Sequence, residues 1–469
     1  MINNKFDNIK NVAPARVAII GAAKSGIAAA KYFRSRGTEV FISDSCSRGA
    51  LDKILRDNGL TGIESEAQGH SEKVLQNDLI ILSPGVCSDL DIIKRAHLKG
   101  IPVWSEMELG FRVSNAPFLA VTGSSGKSTT VSLLEAAMRA SGFDAVAAGN
   151  IGLPVISVTP RLTGENDVVV AEVSSFQLET IHNFKPKAAA VINLMKNHLD
   201  RYPNETEYYN AKKRIAVNLT NHEYLVLNMN DPILLEWGHE FSSQTQIVMF
   251  GLADNGGDCV FLSDKSIRYR FNGKTGVILE DVYAMRLGGK HNYVNACAAA
   301  AMALCGGADP LRIGEGLCSF GGLPHRLEYV ADIGGVKFYN DSKSTTAESI
   351  ECAVSAFDSG VHLIAGGKDK GCDFSVIRDA VAANVKSIVL IGEAADRMSL
   401  EFKGLAPIYK AKNLEEAVDK AFKNAQAGER VIFSPGCSSF DMFRNFEHRG
   451  EVFRDTVNAL LARRKAAVL

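Results

Sequence analysis

The residues with the clearest chemical potential lie in one short segment, Val121–Thr130, which reads VTGSSGKSTT. The apolar residues 118–121 predict a strand before it, and the apolar spacing after it predicts a helix. Backbone N–H groups freed by glycine, together with the positive end of a helix, suit a polyphosphate. We expect Lys127 to reach the β- and γ-phosphates and the Ser128 hydroxyl to hold Mg²⁺. The alternative to nucleotide binding is that the segment only forms the N-terminus of a helix and that its lysine has no function there.

This segment departs from the standard phosphate loop, GxxxxGK[ST], which would place a glycine where the chain has Val121. The residues predicted to bind the nucleotide here are Gly123, Ser124, Ser125, Gly126, Lys127, Ser128 and Thr129. A second triplet, Gly273-Lys274-Thr275, follows Asn272 and lies between alternating apolar runs. That triplet predicts a hairpin turn, because Asn-Gly is typical of tight turns between strands.

The size and charge of the chain limit the classes of protein it can belong to. Its 469 residues favour about three domains. The net charge of −1 argues against a nucleic-acid or anionic-membrane partner. No apolar run reaches the roughly 18 residues of a spanning helix, and the polar N-terminus does not resemble a signal peptide. The nine cysteines include no CxxC pair, which argues against a zinc site or a disulfide framework. We expect a soluble, cytoplasmic monomer.

Residues 1–116 predict a first α/β domain with a Rossmann-like βαβ unit. A strand at 16–20 precedes the reduced glycine pattern at 21–26, and a second strand at 39–43 ends at Asp44. Asp44 therefore stands where a ribose-binding acid would be, which by itself would suggest a dinucleotide enzyme. A further strand, 79–82, runs into the turn Ser83-Pro84-Gly85-Val86. Ligands gather at such strand ends in open α/β sheets.

Residues 117–322 and 323–469 predict two more α/β domains. In the central one, strands are expected at 167–172, 188–194, 223–227 and 246–250, followed by alternating strands around 258–287 and an alanine-rich helix at 291–304. In the last one, strands are expected at 336–339, 362–365, 386–391 and 430–433, with a helix at 414–425. Its strands end in polar or glycine-rich turns, which are either surface loops or parts of one ligand site.

Motifs distributed over all three predicted domains resemble the Mur ligases, in that family's order, and most closely its D-glutamate-adding members. They are TGSSGKST (122–129), GNIG (149–152), EVSSFQLE (172–179), NHLDRYP (197–203), NAKKRI (210–215), HNYVNACAAA (291–300), PHRLE (324–328), NDSKSTT (340–346), GGKDKG (366–371) and SPGCSSFDMFRNFEHRG (434–450). The NDSK segment and the final motif favour glutamate addition. The Asp-Asn-Pro-Arg motif typical of diaminopimelate-adding relatives has no counterpart, since no Asn-Pro-Arg occurs here.

The resemblance implies three domains: a Rossmann-like domain that binds a UDP substrate, a central P-loop-type ATPase domain, and a Rossmann-like domain that binds an amino acid. It implies an ATP-dependent amide ligase of peptidoglycan precursor synthesis. The carboxylate of UDP-N-acetylmuramoyl-L-alanine would attack the γ-phosphate of ATP to give an acyl phosphate and ADP. The amine of D-glutamate would then attack that carbonyl, releasing phosphate. Because two anions meet in the first step, positive charge and metal ions are the main requirement.

By the same resemblance, Lys127, His198 and Lys212 are the expected catalytic residues. The expected ligands of two Mg²⁺ ions are Ser128, Glu172, His198 and Lys212. Lys212 matches a lysine that the family carbamylates, which turns a cation into a carboxylate-like metal ligand. Without the resemblance, Lys212 would read as a solvated surface lysine and His198 as a packed or surface histidine.

The resemblance also assigns the substrate-binding residues. ATP contacts beyond the phosphate loop are expected from Asn295, Arg326 and Asp341. Contacts with the UDP substrate are expected from Lys24, Ser25, Asp44, Ser45, Ser83, Gly85 and Asn150. D-Glutamate is expected at Lys343, Thr345, Lys370, Ser439 and Phe446. Lysines and hydroxyls suit a dicarboxylate, because lysine serves as a point charge and Ser/Thr as donors.

The chain departs from the family pattern in three places: Gly21-Ala22-Ala23 lacks a second glycine, Met195-Lys196-Asn197 replaces a common Thr-Glu-Asp, and Phe440 stands where leucine is frequent.

Three other functions remain alternatives. One is another Mur-type or folylpolyglutamate-type ligase with the same ATP core. The others are a nicotinamide oxidoreductase, suggested by the first βαβ unit alone, and a P-loop switch or binding ATPase without ligase chemistry.

Overall fold

A computed structural model describes residue 6 and residues 9–198, 201–357, 359–369 and 371–466. Their contacts divide the chain into two compact units: one runs to Val282 and includes Val294–Leu317, and the other comprises Tyr283–Tyr293 and the chain from Cys318 onward. The strands form three separate sheets. No helix in these described ranges is long and apolar enough to cross a membrane.

The first sheet is fully parallel, in the order β3-β2-β1-β4-β5. Its strands are β1 Arg16–Ile20, β2 Glu39–Ser43, β3 Glu64–Glu66, β4 Leu79–Leu82 and β5 Val103–Ser105. Its helices are α1 Lys24–Ser35, α2 Arg48–Asp57, α3 Asp91–Leu98 and α4 Glu106–Val113. The strand residues of β1 and β4 are almost entirely buried, as expected when helices cover both faces of a parallel sheet. The Rossmann-like prediction is confirmed.

The second sheet has the order β14-β13-β12-β11-β10-β9-β6-β8-β7. Its strands are β6 Phe118–Thr122, β7 Asp144–Gly149, β8 Asp167–Glu172, β9 Ala188–Val191, β10 Tyr224–Asn228, β11 Gln246–Gly251, β12 Cys259–Ser263, β13 Ser266–Phe271 and β14 Lys274–Leu279. The helices in this part of the chain are α5 Lys127–Ala140, α6 Val155–Val158, α7 Ser175–Leu178, α8 Glu205–Lys213, α9 Pro232–Phe241, α10 Lys290–Gly306 and α11 Pro310–Ser319. The pairing is parallel from β7 to β12 and antiparallel from β12 to β14.

Two sequence predictions can be compared directly with this sheet. Asn272 and Gly273 form the turn between the antiparallel strands β13 and β14, so the second GKT triplet lies in a hairpin, as predicted. The strand expected at 188–194 is shorter, because β9 ends at Val191. Beyond it, the Asn193 backbone oxygen and side chain bond to Ser124, so this stretch serves the loop after β6 instead of extending the strand.

The third sheet has the order β15-β16-β20-β17-β18-β19 and is parallel except for the β15–β16 pair. Its strands are β15 Glu328–Ile333, β16 Val336–Asn340, β17 Val361–Gly366, β18 Val385–Ile391, β19 Ile408–Lys410 and β20 Arg430–Phe433. Its helices are α12 Ala347–Val354, α13 Arg378–Asn384, α14 Ala395–Glu401, α15 Leu414–Asn424 and α16 Phe446–Ala466. Two apolar clusters pack on the faces of this sheet, which explains the continuous apolar runs of its strands.

Candidate active site

The segment after β6 forms the predicted strand, loop and helix N-terminus. Gly126 is the N-cap of α5 with φ of +79°, a conformation that favours glycine. A Cβ added to Gly126 would lie 2.7 Å from Oδ1 of Asn295, so only glycine lets the Asn295 amide approach this backbone. The structure therefore brings Asn295, predicted as an ATP contact, to the N-terminus of α5.

Asn193 fixes the shape of the phosphate loop, and the sequence predictions did not include it. Its Oδ1 accepts hydrogen bonds from the N–H groups of Ser124 at 3.0 Å and Ser125 at 2.9 Å, and its Nδ2 donates to the Ser125 carbonyl at 3.0 Å. Ser124 Oγ is also 3.0 Å from the Met195 carbonyl. The sequence signal that could have identified Asn193 was its position. It follows the buried strand β9, which pairs with β6, and the ends of neighbouring parallel strands meet at one edge of a sheet.

Two lysine ammonium groups lie on the same loop. Lys127 Nζ donates to the carbonyls of Gly123 at 2.8 Å and Ser124 at 3.1 Å. Lys212 Nζ, from α8, donates to the Gly123 carbonyl at 2.9 Å. Two cations at one loop carbonyl repel each other, and a polyphosphate placed between them would relieve this repulsion.

Lys212 lies in the protein interior, although its sequence context alone predicts a solvated lysine on the surface. Its side chain is only 1% exposed and its Nζ lies 4.5 Å from the centre of the Tyr208 ring. Burial, with Lys127 as a second cause, lowers the pKa of Lys212 to about 7, although the charge of Glu172 opposes the shift. The neutral amine, which is the form that attacks CO₂, is therefore accessible near neutral pH.

Glu172, at the end of β8, connects two other predicted residues, Ser128 and Asn150. Its Oε2 accepts from Ser128 Oγ at 2.7 Å, and its Oε1 accepts from Asn150 Nδ2 at 2.8 Å. Glu172 is 2% exposed. A buried carboxylate and a hydroxyl at the start of α5 are oxygen ligands of the type Mg²⁺ prefers.

His198 lies in a tight turn beside this cluster, with φ of +55°. Its carbonyl accepts from the N–H groups of Arg201 and Tyr202, both at 3.0 Å. Its ring packs edge-to-face on Phe176 at 5.1 Å and on Tyr208 at 5.7 Å, and Tyr208 in turn contacts Lys212. Leu199 and Asp200 of the same motif lie outside the described residues.

The predicted metal ligands fit Mg²⁺ in chemistry, but they do not form a cluster of acids. Within the described ranges, no three His, Cys, Asp or Glu side chains are arranged to hold a metal ion. Mg²⁺ usually keeps several waters and takes one or two carboxylates plus substrate phosphates. The Ser128–Glu172 pair satisfies that smaller requirement.

Arg201 is a second residue that the sequence predictions did not single out. Its guanidinium donates to Glu179 Oε2 at 2.9 Å and to the carbonyls of Pro84 at 3.4 Å and Val86 at 3.3 Å. Glu179 also accepts from Ser88 Oγ at 2.6 Å. These contacts join the turn that follows β4 to the turn that contains His198. They therefore connect a predicted UDP-substrate segment to a predicted metal ligand.

In the first domain, the predicted substrate residues lie at the carboxyl ends of β1, β2 and β4. Lys24 and Ser25 begin α1, Asp44 and Ser45 follow β2, and Ser83 and Gly85 follow β4. Asp44 accepts from the N–H groups of Ala22 at 2.6 Å and Cys46 at 2.8 Å. Burial opposes ionisation of Asp44, but these hydrogen bonds outweigh it and lower its pKa. Asp44 is thus an anion that also shapes the loop before α1.

In the third domain, Asp341 is buried at the end of β16. It accepts from Ser434 Oγ at 2.8 Å and from the N–H of Leu327 at 3.2 Å. Burial raises the pKa of Asp341 to about 7, against the lowering effect of those hydrogen bonds and of the Arg326 charge. This carboxyl is consequently poised to gain a proton or to bind a cation near neutral pH.

Arg449, which the sequence predictions did not include, ties together the turns that carry the predicted D-glutamate residues. Its guanidinium is 1% exposed and donates to Ser342 Oγ at 3.0 Å, to the Ser342 carbonyl at 2.8 Å and to the Cys437 carbonyl at 3.0 Å. Burial lowers its pKa to about 10. Arg449 thereby holds the turn after β16 against the turn after β20.

Four of the five predicted D-glutamate residues lie on those two turns and at the start of α16. Lys343 and Thr345 follow β16, Ser439 follows β20, and Lys343 Nζ lies 5.7 Å from the ring centre of Phe446. Lys343 is exposed, whereas Ser439 is buried. Phe440, the departure from the family pattern, is 65% exposed. Lys370 lies outside the described residues.

Family models match most of the chain. Residues 15–105 match "Mur ligase MurD-like, N-terminal domain", residues 121–303 match "Mur ligase middle domain", and residues 325–437 match "Mur ligase, glutamate ligase domain". Each matched range contains one of the three sheets or most of it.

Curated relatives named UDP-N-acetylmuramoylalanine--D-glutamate ligase are similar along nearly the whole chain. The protein of Geotalea daltonii is 39% identical over 448 residues, covering 95% of this chain and 97% of that protein. The protein of Koribacter versatilis is 36% identical over 454 residues, covering 96% of this chain and 98% of that protein. The protein of Thermoanaerobacter pseudethanolicus is 38% identical over 453 residues, with coverage of 95% and 98%.

Solved structures of more distant ligases share the fold. UDP-N-acetylmuramate-alanine ligase MurC of Thermotoga maritima matches with a TM-score of 0.57 at 18% identity, covering 95% of this chain and 99% of that one. MurF of Acinetobacter baumannii matches with a TM-score of 0.58 at 19% identity, covering 82% of this chain and 87% of that one. At these identities the match concerns the fold alone.

Proposed function

The chain belongs to the Mur ligase family, and from that premise we propose that it joins D-glutamate to UDP-N-acetylmuramoyl-L-alanine at the expense of ATP, as a step of peptidoglycan precursor synthesis. The relatives at 36–39% identity carry the name of this activity and cover 95–96% of the three-domain chain. The more distant ligases share only the fold.

The observation that supports carboxylate activation is the Lys127 ammonium group on the loop after β6, beside Lys212 and the Ser128–Glu172 pair. Lys127 and Lys212 both donate to the Gly123 carbonyl, and Ser128 pairs with the buried Glu172 beside them. In acyl-phosphate formation a carboxylate must approach the γ-phosphate, so negative charge accumulates in the transition state. Lys127 would stabilise that charge on the γ-phosphate, in a position already fixed by its backbone contacts.

Lys212 is proposed to act as a carbamate. The Lys212 amine is buried against the Gly123 carbonyl and the Tyr208 ring, so the charged form is costly at this place. Reaction of the neutral amine with CO₂ forms an N–C bond and releases one proton. The product is an anionic oxygen donor next to the phosphate loop.

Mg²⁺ would be held by Ser128, Glu172, His198 and carbamylated Lys212, and two ions are proposed. When bound, the metal would neutralise phosphate oxygens and so lower the repulsion between ATP and the substrate carboxylate. The chain's own contribution is to hold these donors at the carboxyl ends of β6 and β8 and in the turn around His198. Asn295, Arg326 and Asp341 are proposed as further ATP contacts.

The two substrates are proposed to bind on the outer domains. Lys24, Ser25, Asp44, Ser45, Ser83 and Gly85, with Asn150 of the central sheet, would hold the UDP substrate. Lys343, Thr345, Lys370, Ser439 and Phe446 would hold D-glutamate. Support comes from the positions of the described residues among them, at strand ends and at the starts of helices, where α/β sheets bind ligands.

One assay separates this function from the other ligase specificities. ADP release is measured with UDP-N-acetylmuramoyl-L-alanine while D-glutamate, L-glutamate, L-lysine and meso-diaminopimelate are offered in turn. We expect turnover with D-glutamate and only background with the others. Turnover with an L-amino acid or meso-diaminopimelate, but not with D-glutamate, would overturn the specificity. A rate of ADP release that depends on neither the UDP substrate nor the amino acid would indicate an ATPase without ligase activity.

A further inference from the structure

The segment after β3 wraps around the end of β2, next to Asp44. The Asp44 N–H donates to the Glu66 carbonyl at 3.1 Å, and the Gln68 N–H donates to the Cys46 carbonyl at 2.9 Å. Gln68 and Gly69 have φ of +63° and +142°, so the chain turns sharply there and returns toward the sheet at His70. His70 is thus placed at the carboxyl ends of β2 and β3, the edge where such sheets bind nucleotides.

A chain of hydrogen bonds starts from Glu66 in this segment. Glu66 Oε1 accepts from the Ser71 N–H at 2.8 Å and from Ser43 Oγ at 2.7 Å. Burial opposes ionisation of Glu66, but the hydrogen bonds from Ser71 and Ser43 outweigh it and lower the pKa. Glu66 is therefore a carboxylate, which can only accept hydrogen bonds.

This arrangement determines which nitrogen of His70 carries the proton. The Ser43 hydroxyl has one hydrogen, and the Glu66 carboxylate is the stronger acceptor for it. Ser43 Oγ must then accept from His70 Nδ1, which lies 2.7 Å away. In a neutral imidazole with hydrogen on Nδ1, Nε2 carries the lone pair.

The neutral form of His70 is favoured by its surroundings. The ring is half-buried, and burial lowers the pKa of His70 although the charges of Glu66 and Asp44, the groups that face it, act in the opposite direction. Among the described residues, Nε2 has no hydrogen-bond partner, whereas Nδ1 is engaged. The structure thus presents an unused acceptor beside Asp44, within a group of predicted nucleotide contacts.

We propose that His70 is a specificity-determining residue for the nucleoside part of the substrate, its Nε2 accepting a hydrogen bond from the bound uridine. The donor is either the imide N–H of the uracil ring or the ribose 2′-hydroxyl. A cytosine ring has an acceptor at the position of that imide, so the first case also disfavours cytidine nucleotides. The inference rests on the proposed function only in requiring that the substrate carries a uridine diphosphate.

Binding calorimetry on the full chain at pH 8 tests the contact. UDP, 2′-deoxy-UDP and N3-methyl-UDP are titrated into the unmodified protein, into His70→Ala and into the control His97→Ala, which removes an exposed histidine on α3. One hydrogen bond is worth about 1 kcal/mol, so His70→Ala should weaken UDP binding roughly fivefold to tenfold. His97→Ala should leave it unchanged.

The two analogues identify the donor. If it is the imide, N3-methyl-UDP binds the unmodified protein and His70→Ala with equal affinity. If it is the ribose hydroxyl, 2′-deoxy-UDP does so. If the unmodified protein and His70→Ala bind UDP with equal affinity, the inference about His70 is overturned, while the proposed function stands. A loss of the same factor for all three nucleotides also overturns it, because no single donor would then be coupled to His70. Absence of UDP binding to the unmodified protein would overturn the proposed function as well.

A pH series with UDP-N-acetylmuramoyl-L-alanine separates this role from a structural one. Protonation turns Nε2 into a donor, so the affinity of the unmodified protein should fall as the pH drops through the pKa of His70, while His70→Ala gives a flat profile. Glu66→Gln removes a charge that favours protonation of His70, and should move the fall to lower pH. Identical profiles for the unmodified protein and His70→Ala would contradict the inference.

Discussion

At the scale of single residues, the site is defined by contacts that hold its polar side chains in place before any substrate arrives. Lys127 and Lys212 share the Gly123 carbonyl, and Ser128 and Asn150 share the Glu172 carboxylate. These contacts hold the charged groups in place without substrate, so less reorganisation is needed when phosphate binds.

Replacing Lys127 by alanine should abolish ADP formation. In the proposed role its ammonium stabilises charge that develops on the γ-phosphate, and loss of one such group typically costs about 10²–10³ in kcat. The measurement is steady-state ADP release with all substrates. Lys274→Ala is the matched control, because Lys274 also follows a glycine in a Gly-Lys-Thr triplet but lies in the β13–β14 hairpin. Near-normal turnover by Lys127→Ala would refute the phosphate role.

Lys212→Ala should be nearly inactive and should recover part of its activity in the presence of short carboxylic acids such as formate or acetate. The small acid would occupy the space of the deleted side chain and restore an anionic oxygen donor. ADP release is measured against acid concentration. Lys213→Ala serves as the control, because Lys213 neighbours Lys212 but pairs with Glu240. Lack of rescue by every acid tested would count against the carbamate.

At the scale of elements, α4 connects the first sheet to the central one through two buried glutamates. Glu108 accepts from the N–H groups of His182, Asn183 and Phe184 at 2.9–3.0 Å and pairs with Arg112 at 2.6 Å. Glu106 accepts from the Ile156 N–H at 2.6 Å, and its second oxygen is buried without a partner. Burial makes Glu106 costly to ionise.

Glu106→Gln should stabilise the protein at alkaline pH. Burial raises the pKa of Glu106 from 4.5 to about 7, although N–H donors oppose it, so the folded chain holds this proton more tightly than the unfolded chain. Its stabilising contribution is complete below pH 4.5 and is lost as the pH rises through 7. The variant does not titrate, so its advantage should reach up to about 3 kcal/mol at pH 8 and shrink toward pH 5.

The measurement is the thermal midpoint of each protein from pH 5 to pH 8. Glu280→Gln, the same change at an exposed glutamate, is the control and should show no pH-dependent difference. A constant difference between Glu106→Gln and the unmodified protein at all pH values would contradict the assignment.

At the scale of the whole molecule, each sheet has its own apolar core. The two clusters of the last sheet contain only residues between Leu327 and Leu461. The helices α10 and α11 contribute to the central part: Gly306 lies against Leu119 and Met138, and Gly316 lies against the backbone of Ala136 and Ala137. A fragment that is to fold with the central sheet must therefore include α10 and α11.

Fragments cut at these limits should therefore differ in their ability to fold. We expect fragment 318–469 and fragment 1–320 each to show a cooperative thermal transition, followed by circular dichroism. Fragment 1–282 should aggregate or melt without cooperativity, because it lacks the buried helix residues 296–304 that complete the central core. Cooperative unfolding of fragment 1–282 would show that this helix is dispensable for that core.

Much of the fold could be predicted because its signals are local. The strands at 16–20, 39–43, 79–82, 167–172 and 430–433 have the predicted bounds, since each is a short apolar run bounded by polar or glycine residues. The strand after 188 was predicted too long, because its apolar continuation serves the phosphate loop through Asn193. No local pattern distinguishes an apolar stretch that extends a strand from one that leaves the strand and contacts the loop after β6.

The sequence by itself determined the phosphate loop and the order of the three α/β domains, because a strand, a glycine loop and a helix follow one another within a few residues. Only the tertiary structure decided that Lys212 is buried and lies on that loop, 89 residues from Gly123 in the chain. It alone revealed the contacts of Asn193, Arg201 and His70. Their partners come from distant segments, and parallel strands bring such segments together at one edge of a sheet.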